Sequence, residues 1–168
     1  MAFNIVTGNF VSFAVYSEVT ARDQRFFESN EGFTEAQVND LLAQGSQRIL
    51  TQIRNTDWWR QYQFGLDTSL ERDVRLLPAV NALKIKAREQ EFKDLNIYFT
   101  LSEYLLPRVA DFGNETDSNL QKIKFYRDQF DALFKEVIEA GDWYDFDGDA
   151  TIERTEKSPN RQRLVRIR

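Results

Sequence analysis

The sequence predicts a mainly α fold: a bundle of three long helices plus short helical turns, with an N-terminal extended arm or β-hairpin. Three observations carry that expectation. Apolar residues recur every three or four positions over long stretches, which places them on one helix face. Residues able to cap a first helical turn stand at the head of such stretches, at Thr34 and Ser118. Only residues 3–16 alternate apolar and polar as a strand does. At 168 residues, 42% of them hydrophobic and 14% aromatic, the chain is long and apolar enough to bury one domain core.

The elements follow in order. Phe3, Ile5 and Val6 precede Thr7-Gly8-Asn9, and the run Phe10–Tyr16 then sets Val11, Phe13 and Val15 on one face. Alternation around a Gly-Asn turn is a hairpin signal. A two-stranded hairpin is marginal alone in water, so this one needs helices or another subunit to lie on. Residues 17–33 mix polar residues with Phe26, Phe27 and Phe33, and Ser29-Asn30-Glu31-Gly32 reads as a loop. Thr34 and Gln37 have capping-box spacing, and Val38, Leu41, Leu42, Ile49, Leu50 and Ile53 continue an amphipathic helix to about Asn55. Gly45 falls on its apolar side, the mark of another helix passing close. The paired tryptophans Trp58 and Trp59 can bind sugars, bases or partner proteins. The plainer reading has them covering the core where the helix ends. Residues 63–76 read as a loop with one short turn.

Pro78 suits a first helical turn, where its missing N–H costs nothing. Val80, Leu83, Ala87, Phe92, Leu95, Tyr98, Phe99, Leu105 and Leu106 then mark a second long helix closing before Pro107, with a slip of phase near Phe92. Its charges (Lys84, Lys86, Arg88 and Lys93 among Glu89, Glu91 and Asp94) make an ordinary solvated face. Residues 110–117 lead into the third helix, Ser118 to Ala140. There Ser118 and Gln121 have capping-box spacing, and Leu120, Ile123, Tyr126, Phe130, Leu133, Phe134, Val137 and Ile138 form the apolar stripe. Gly141 suits the left-handed position just past a helix end. The chain thus divides into an N-terminal arm (1–33), a helical bundle (34–140), and an acidic loop with a basic tail (141–168).

Composition narrows the function. The formal net charge of −5 argues against a general nucleic-acid binder, whose affinity rests on phosphate neutralisation. It is compatible with a surface past which nucleic acid slides without sticking. Without cysteine there are no disulfides, thiolate metal sites or cysteine nucleophiles. Without histidine the commonest general base and transition-metal ligand are missing too, so the expectation is a protein that is not an enzyme. No apolar run reaches a membrane span and no basic-then-apolar leader opens the chain, so no membrane association is expected.

One stretch carries metal chemistry. Asp145-Phe-Asp147-Gly-Asp149-Ala150-Thr151-Ile152-Glu153-Arg-Thr-Glu156 has acids at the first, third, fifth, ninth and twelfth places of an EF-hand loop. Asp145, Asp147, Asp149, Thr151, Glu153 and Glu156 are the candidate ligands, and Ca2+ the candidate ion, though no cofactor is required by anything else in the chain. Calcium takes six to eight oxygens, which this spacing can wrap around one ion. Against it, the sixth place, normally glycine for the sharp turn, holds Ala150, and Ser158-Pro159 stand where a second helix would begin. The alternative is a solvated acidic turn ordered by its own Asx hydrogen bonds. After Glu156 the charge reverses: Lys157, Arg161, Arg163, Arg166 and Arg168 have no acid among them. Arg161, Arg163, Leu164, Val165, Arg166, Ile167 and Arg168 are candidate partner-binding residues, able to order on an oppositely charged partner as a strand or arm, or else simply a solvated basic end.

The order of these features resembles the head–tail connector (adaptor, head-completion or neck) proteins of tailed bacteriophages. The residues that carry the resemblance are the capped helix Thr34-Glu-Ala-Gln-Val-Asn-Asp-Leu-Leu-Ala-Gln-Gly-Ser-Gln-Arg-Ile, and Ile123-Lys-Phe-Tyr126-Arg127-Asp-Gln-Phe130-Asp-Ala-Leu-Phe134 in the third helix. The Asp-rich loop and the closing Arg163-Leu-Val-Arg166-Ile-Arg168 complete it. It covers about residues 30–168 and rests on pattern and order. The resemblance implies a helical bundle with a small β element, assembled as a twelve-fold ring beneath the portal. Such a ring extends the DNA channel, through which DNA passes without specific binding, and presents a platform for the next neck or tail protein. It implies a C-terminal segment, here about 157–168, that reaches the portal, and a place at the head–tail junction of the virion after synthesis in the host cytoplasm. The competing expectation is a small calcium-binding helical module that engages a protein partner through its EF-hand-like loop.

Overall fold

The structure, a computed structural model, describes residues 3–29, 32–70, 72–114, 117–153 and 156. Its regular elements among these are an antiparallel hairpin, β1 (Asn4–Val6) and β2 (Asn9–Ser12), and six α-helices. The helices are α1 (Tyr16–Arg22), α2 (Gln24–Ser29), α3 (Glu35–Arg54), α4 (Asp57–Leu66), α5 (Glu89–Thr100) and α6 (Ser118–Ala140).

The predicted hairpin forms where expected. Thr7 and Gly8 both take positive φ (49° and 80°), the geometry of a tight primed turn that follows the twist of the strands. Pairing runs Ile5 with Phe10 and Asn4 with Ser12, so Val11 is the extra residue of a bulge. The hairpin lies on helices, as its marginal stability demands. Phe3 and Phe13 are buried with Phe92 of α5, and the Phe13 amide donates to Ser46 Oγ of α3 at 3.0 Å. Helices α1 and α2 continue the arm around the bundle, held by polar ties as well as by Val19 and Phe26. Lys93 meets Glu18 at 2.5 Å, Arg22 pairs with Asp94, and Asp23 accepts from Lys122 Nζ at 2.7 Å and from Tyr126 Oη at 3.3 Å. Burial first, and then the nearby Asp23 carboxylate, push the Tyr126 hydroxyl well above its ordinary range.

Helix α3 matches its sequence signals. Thr34 Oγ1 accepts from the Gln37 amide and Gln37 Oε1 accepts from the Thr34 amide, a complete capping box. Gly45 meets α5: a Cβ there would lie 2.9 Å from both Asn96 Oδ1 and Thr100 Oγ1. Trp59 of α4 is fully buried with its Nε1 donating to Pro78 O, so the tryptophan pair lies on the core rather than on an open binding face.

Three long helices are not what forms. The second expected helix, Pro78 to Leu106, is replaced by an irregular stretch and a shorter α5. Val80, Ala82 and Ile85 do point into the core, but from a segment turned by Asn81, whose Oδ1 accepts from the Leu83 amide, and bridged at Ile85 to Tyr144. Arg88, at φ 58°, is left-handed and separates this segment from α5. The slip of phase near Phe92 was the trace of that break. Beyond Thr100, α5 widens into a π-helical turn over Leu101–Leu105 and a 3-10 turn at Leu106–Arg108, where Pro107 cannot continue an α-helix. Helix α6 starts one residue differently from expectation, since the cap is Asp117 rather than Ser118. Its carboxylate accepts from the Asn119 and Asp111 amides at 2.8 and 2.6 Å, a stronger acceptor at the positive end of a helix. Those two donated bonds also hold its pKa below the ordinary value. No helix among the described residues is long and apolar enough to cross a membrane.

Candidate functional site

The acidic loop is delivered by the end of α6. Gly141 takes φ 60° and stops the helix, after which the chain doubles back along residues 84–86. The Lys86 amide donates to Trp143 O and the Asp145 amide to Lys84 O, each at 2.9 Å. Trp143 is fully buried against Phe92 and Trp58, and its Nε1 donates to Val137 O at 2.8 Å. Phe146, the second residue of the loop, stacks on Tyr62 with ring centroids 3.5 Å apart and touches Trp58, Trp59 and Tyr144. Lys84 Nζ donates to Phe146 O at 2.9 Å. An aromatic platform on α4 therefore fixes where the loop begins.

Beyond Phe146 the loop is shaped by its own carboxylates. Asp145 accepts from the Gly148 amide through Oδ1 at 2.6 Å and from the Ala150 amide through Oδ2 at 2.9 Å. Asp147 Oδ1 accepts from the Asp149 amide, and Asp149 Oδ1 from the amide and hydroxyl of Thr151. These are successive Asx turns, the local ordering expected of a solvated acidic turn. Gly148 and Ala150 take φ 88° and 69°. The missing glycine of the sixth place is thus no obstacle, since Ala150 adopts the left-handed backbone that a glycine would. Glu156 closes the loop: its Oε1 accepts from the Phe146 and Asp147 amides at 2.7 and 3.3 Å, and its Oε2 from the Glu153 amide at 2.9 Å. The Glu156 amide donates in turn to Glu153 O at 3.1 Å.

Of the six candidate ligands, Asp145, Asp147 and Asp149 are gathered, each offering a carboxylate oxygen within 4.8 Å of the others. Hard oxygens of this kind suit calcium or magnesium and not a soft metal. The Thr151 hydroxyl is turned to Asp149, and both Glu156 oxygens are engaged by backbone amides, so the bidentate last ligand of an EF-hand is here a clamp on the loop. The donors that converge are the three aspartates, and of these Asp145, like Glu156, already accepts backbone amides at both oxygens. Burial pushes the Asp145 carboxyl up, but the amides of Gly148 and Ala150, with Asp147 and Lys84, outweigh it and hold the group below its ordinary range. Tyr144 moves the other way: burial raises it and the charge of Asp145 adds to that, against the Asn81 amide that donates to its oxygen.

Residues Arg161, Arg163, Leu164, Val165, Arg166, Ile167 and Arg168 lie outside the described residues. Lys84, Tyr62 and the Phe146 stack escaped the sequence reading. Phe146 sat inside the loop pattern, and Lys84 had been placed on the solvated face of a helix that does not form. The fold is a mainly helical domain with a small N-terminal hairpin. Compared with family models, curated proteins and solved structures, the chain finds no match.

Proposed function

We propose that the chain is a structural virion protein, a ring-forming head–tail connector of a tailed phage. In this reading it docks on the portal, extends the DNA channel and presents a platform for the next neck or tail protein, and it acts through interfaces rather than catalysis. The observation that carries the reading is how the loop before the basic segment is held. A helical body ends in an acidic loop clamped at both ends, Phe146 on Tyr62 and Glu156 on the Phe146, Asp147 and Glu153 amides, and the basic segment 157–168 continues from that clamp. A held acidic loop followed in sequence by a run of cations suits docking on a partner through complementary charge. The net charge of −5 suits a channel that DNA traverses without sticking. The test is a protein inventory of purified particles from the source. Copy number near that of the portal is expected, and absence from finished particles refutes the reading.

A second reading has a specific observation in its favour. Ala150 holds the left-handed geometry that an EF-hand loop requires at its sixth place, beside three converging aspartates. On that reading the chain is a small calcium-binding module that engages a protein partner. Calcium titration followed by heat release, with partner capture repeated in chelator, separates the two. Capture that chelator leaves unchanged removes the calcium module.

A further inference from the structure

Helices α1 and α2 hold the bundle by charge as much as by apolar area. At seven and six residues they are too short to be stable alone. Each buries a single apolar side chain, Val19 and Phe26, where α3 buries a whole stripe. Charges alternate along the seam. Glu18, Arg22 and Asp23 face Lys93 and Asp94 of α5 and Lys122 of α6, so minus, plus, minus meets plus, minus, plus. Arg22 also lies over the Tyr98 ring, 5.1 Å from its centre. Asp23 joins the two helices: its amide closes α1 on Val19 O, and its Oδ1 accepts from the Phe26 amide in the first turn of α2 at 3.2 Å. Each ion pair has one member whose side chain is 30–37% exposed, namely Glu18, Lys122 or Arg22. A cleft of about 550 Å³ lined by Glu18, Ala21, Arg22, Gln90, Asp94 and Ile97 opens along the seam, so water and ions reach it.

We propose that α1 and α2 form a strap keyed to the bundle by these three ion pairs, which opens as one unit ahead of global unfolding and opens more readily as salt rises. The alternation fixes where the strap sits, because a shift along the seam sets like charge against like. The same pairs make its release cooperative. Lys93 and Asp23 are 5% and 7% exposed, and either one left buried without its partner is strongly destabilising, so loosening one tie favours the release of all three. Opening hydrates both and uncovers part of the apolar cluster in which Val19 and Phe26 pack with Leu42, Ile97 and Ile123. The burial of those two side chains is what then resists it, far less than global unfolding must overcome. The hairpin before the strap is held separately, by Phe3, Phe13 and the bond to Ser46, and stays in place. The inference goes beyond the connector reading and does not rest on it.

Native-state amide hydrogen exchange of the full chain tests the strap. The amides of Val19 and Asp23, bonded to Val15 O and Val19 O, are expected to exchange faster than those in the middle of α3. High salt should speed them by about tenfold and leave α3 unmoved. Exchange at those amides that matches α3, or that salt leaves unchanged, overturns the proposal. A charge swap tests the keying. Arg22→Glu sets two acids against each other at Asp94 and should speed exchange in α1 and α2 alone. Arg22→Glu combined with Asp94→Arg restores opposite signs and should return most of the protection. Both side chains are partly exposed, so the variants keep the fold. A double variant no better protected than the single one overturns the proposal as well.

Discussion

Exchanging alanine and glycine within the acidic loop sets backbone strain against chain entropy with little change in side-chain contact. Ala150 sits at φ 69° with its amide held to Asp145 Oδ2 at 2.9 Å, a left-handed conformation that costs an L-residue about 1–2 kcal/mol. Glycine removes that cost but loses about 0.5–1 kcal/mol more chain entropy on folding. Ala150→Gly is therefore expected to stabilise the protein by about 0.5–1 kcal/mol, raising Tm by about 1–4 °C for a chain of this size. Gly148→Ala is the mirror experiment. Its φ is 88°, and the nearest atom to an added Cβ is Lys84 Nζ at 3.6 Å, ordinary contact, so strain and chain entropy act with reversed signs and Tm falls by a similar amount. Scanning calorimetry of the two variants against the parent is the assay. The opposite signs are the content of the prediction. Two shifts of the same sign, or a destabilised Ala150→Gly, refute the claim that both positions hold left-handed backbone in solution.

Other substitutions follow from the same packing. Phe146→Ala removes a half-buried ring from the Tyr62, Trp58 and Trp59 platform and should cost about 2 kcal/mol, seen as a Tm drop of about 4–8 °C. A drop no larger than that of an exposed Phe125→Ala control would show that the platform does not hold the loop. Gly45→Ala gains about 1 kcal/mol of helix propensity but drives a methyl to 2.9 Å from the fully buried Asn96 and Thr100 side chains, for a net loss of about 1–2 kcal/mol in urea unfolding. Stabilisation would place α5 further from α3. Because the Asp145 pKa is depressed in the folded state, its contribution is complete above the ordinary value of 3.8 and is lost as pH falls through the lower folded value. The difference in stability between parent and Asp145→Asn should shrink over that acid window, and a difference independent of pH refutes the hydrogen-bonded carboxylate.

The sequence showed some elements more sharply than others, for physical reasons. Helix α3 was legible to the residue because its signals are local: Thr34 and Gln37 satisfy each other, and the apolar stripe keeps one phase to Ile53. Gly45 even announced its neighbour. The hairpin was legible through its turn, but the bulge at Val11 was not, since pairing register depends on the partner strand. The stretch 78–88 misled because Val80 and Leu83 have helical spacing. What decides its course is non-local, namely Tyr144 bridged to Ile85 and the backbone bonds from Lys84 and Lys86 to the chain after α6. Spacing within a segment cannot reveal a pairing with residues some sixty positions away. In the loop, Asp145, Asp147 and Asp149 converge, but the role of Glu156 was not legible from spacing. Ligand and clamp use the same residue type at the same place, and only the amides of Phe146 and Asp147 distinguish them.

That distinction bears on how the loop is held. If Glu156 were free to swing toward a cation, the end of the loop would move with every change of occupancy. Clamped by three amides and standing beside a ring stacked at 3.5 Å, it is instead a fixed post. The aromatic platform anchors the start of the loop to α4, the Asx turns shape its middle, and Glu156 returns its end to the start. A Glu156→Gln variant tests the post. It keeps the side-chain carbonyl as one acceptor but replaces the second carboxylate oxygen with a donor facing an amide. The loop should loosen, with faster amide exchange at Phe146, Asp147 and Glu153, while α3 and α6 keep their protection. Unchanged exchange at those three amides would mean that the post is held by the aromatic stack alone.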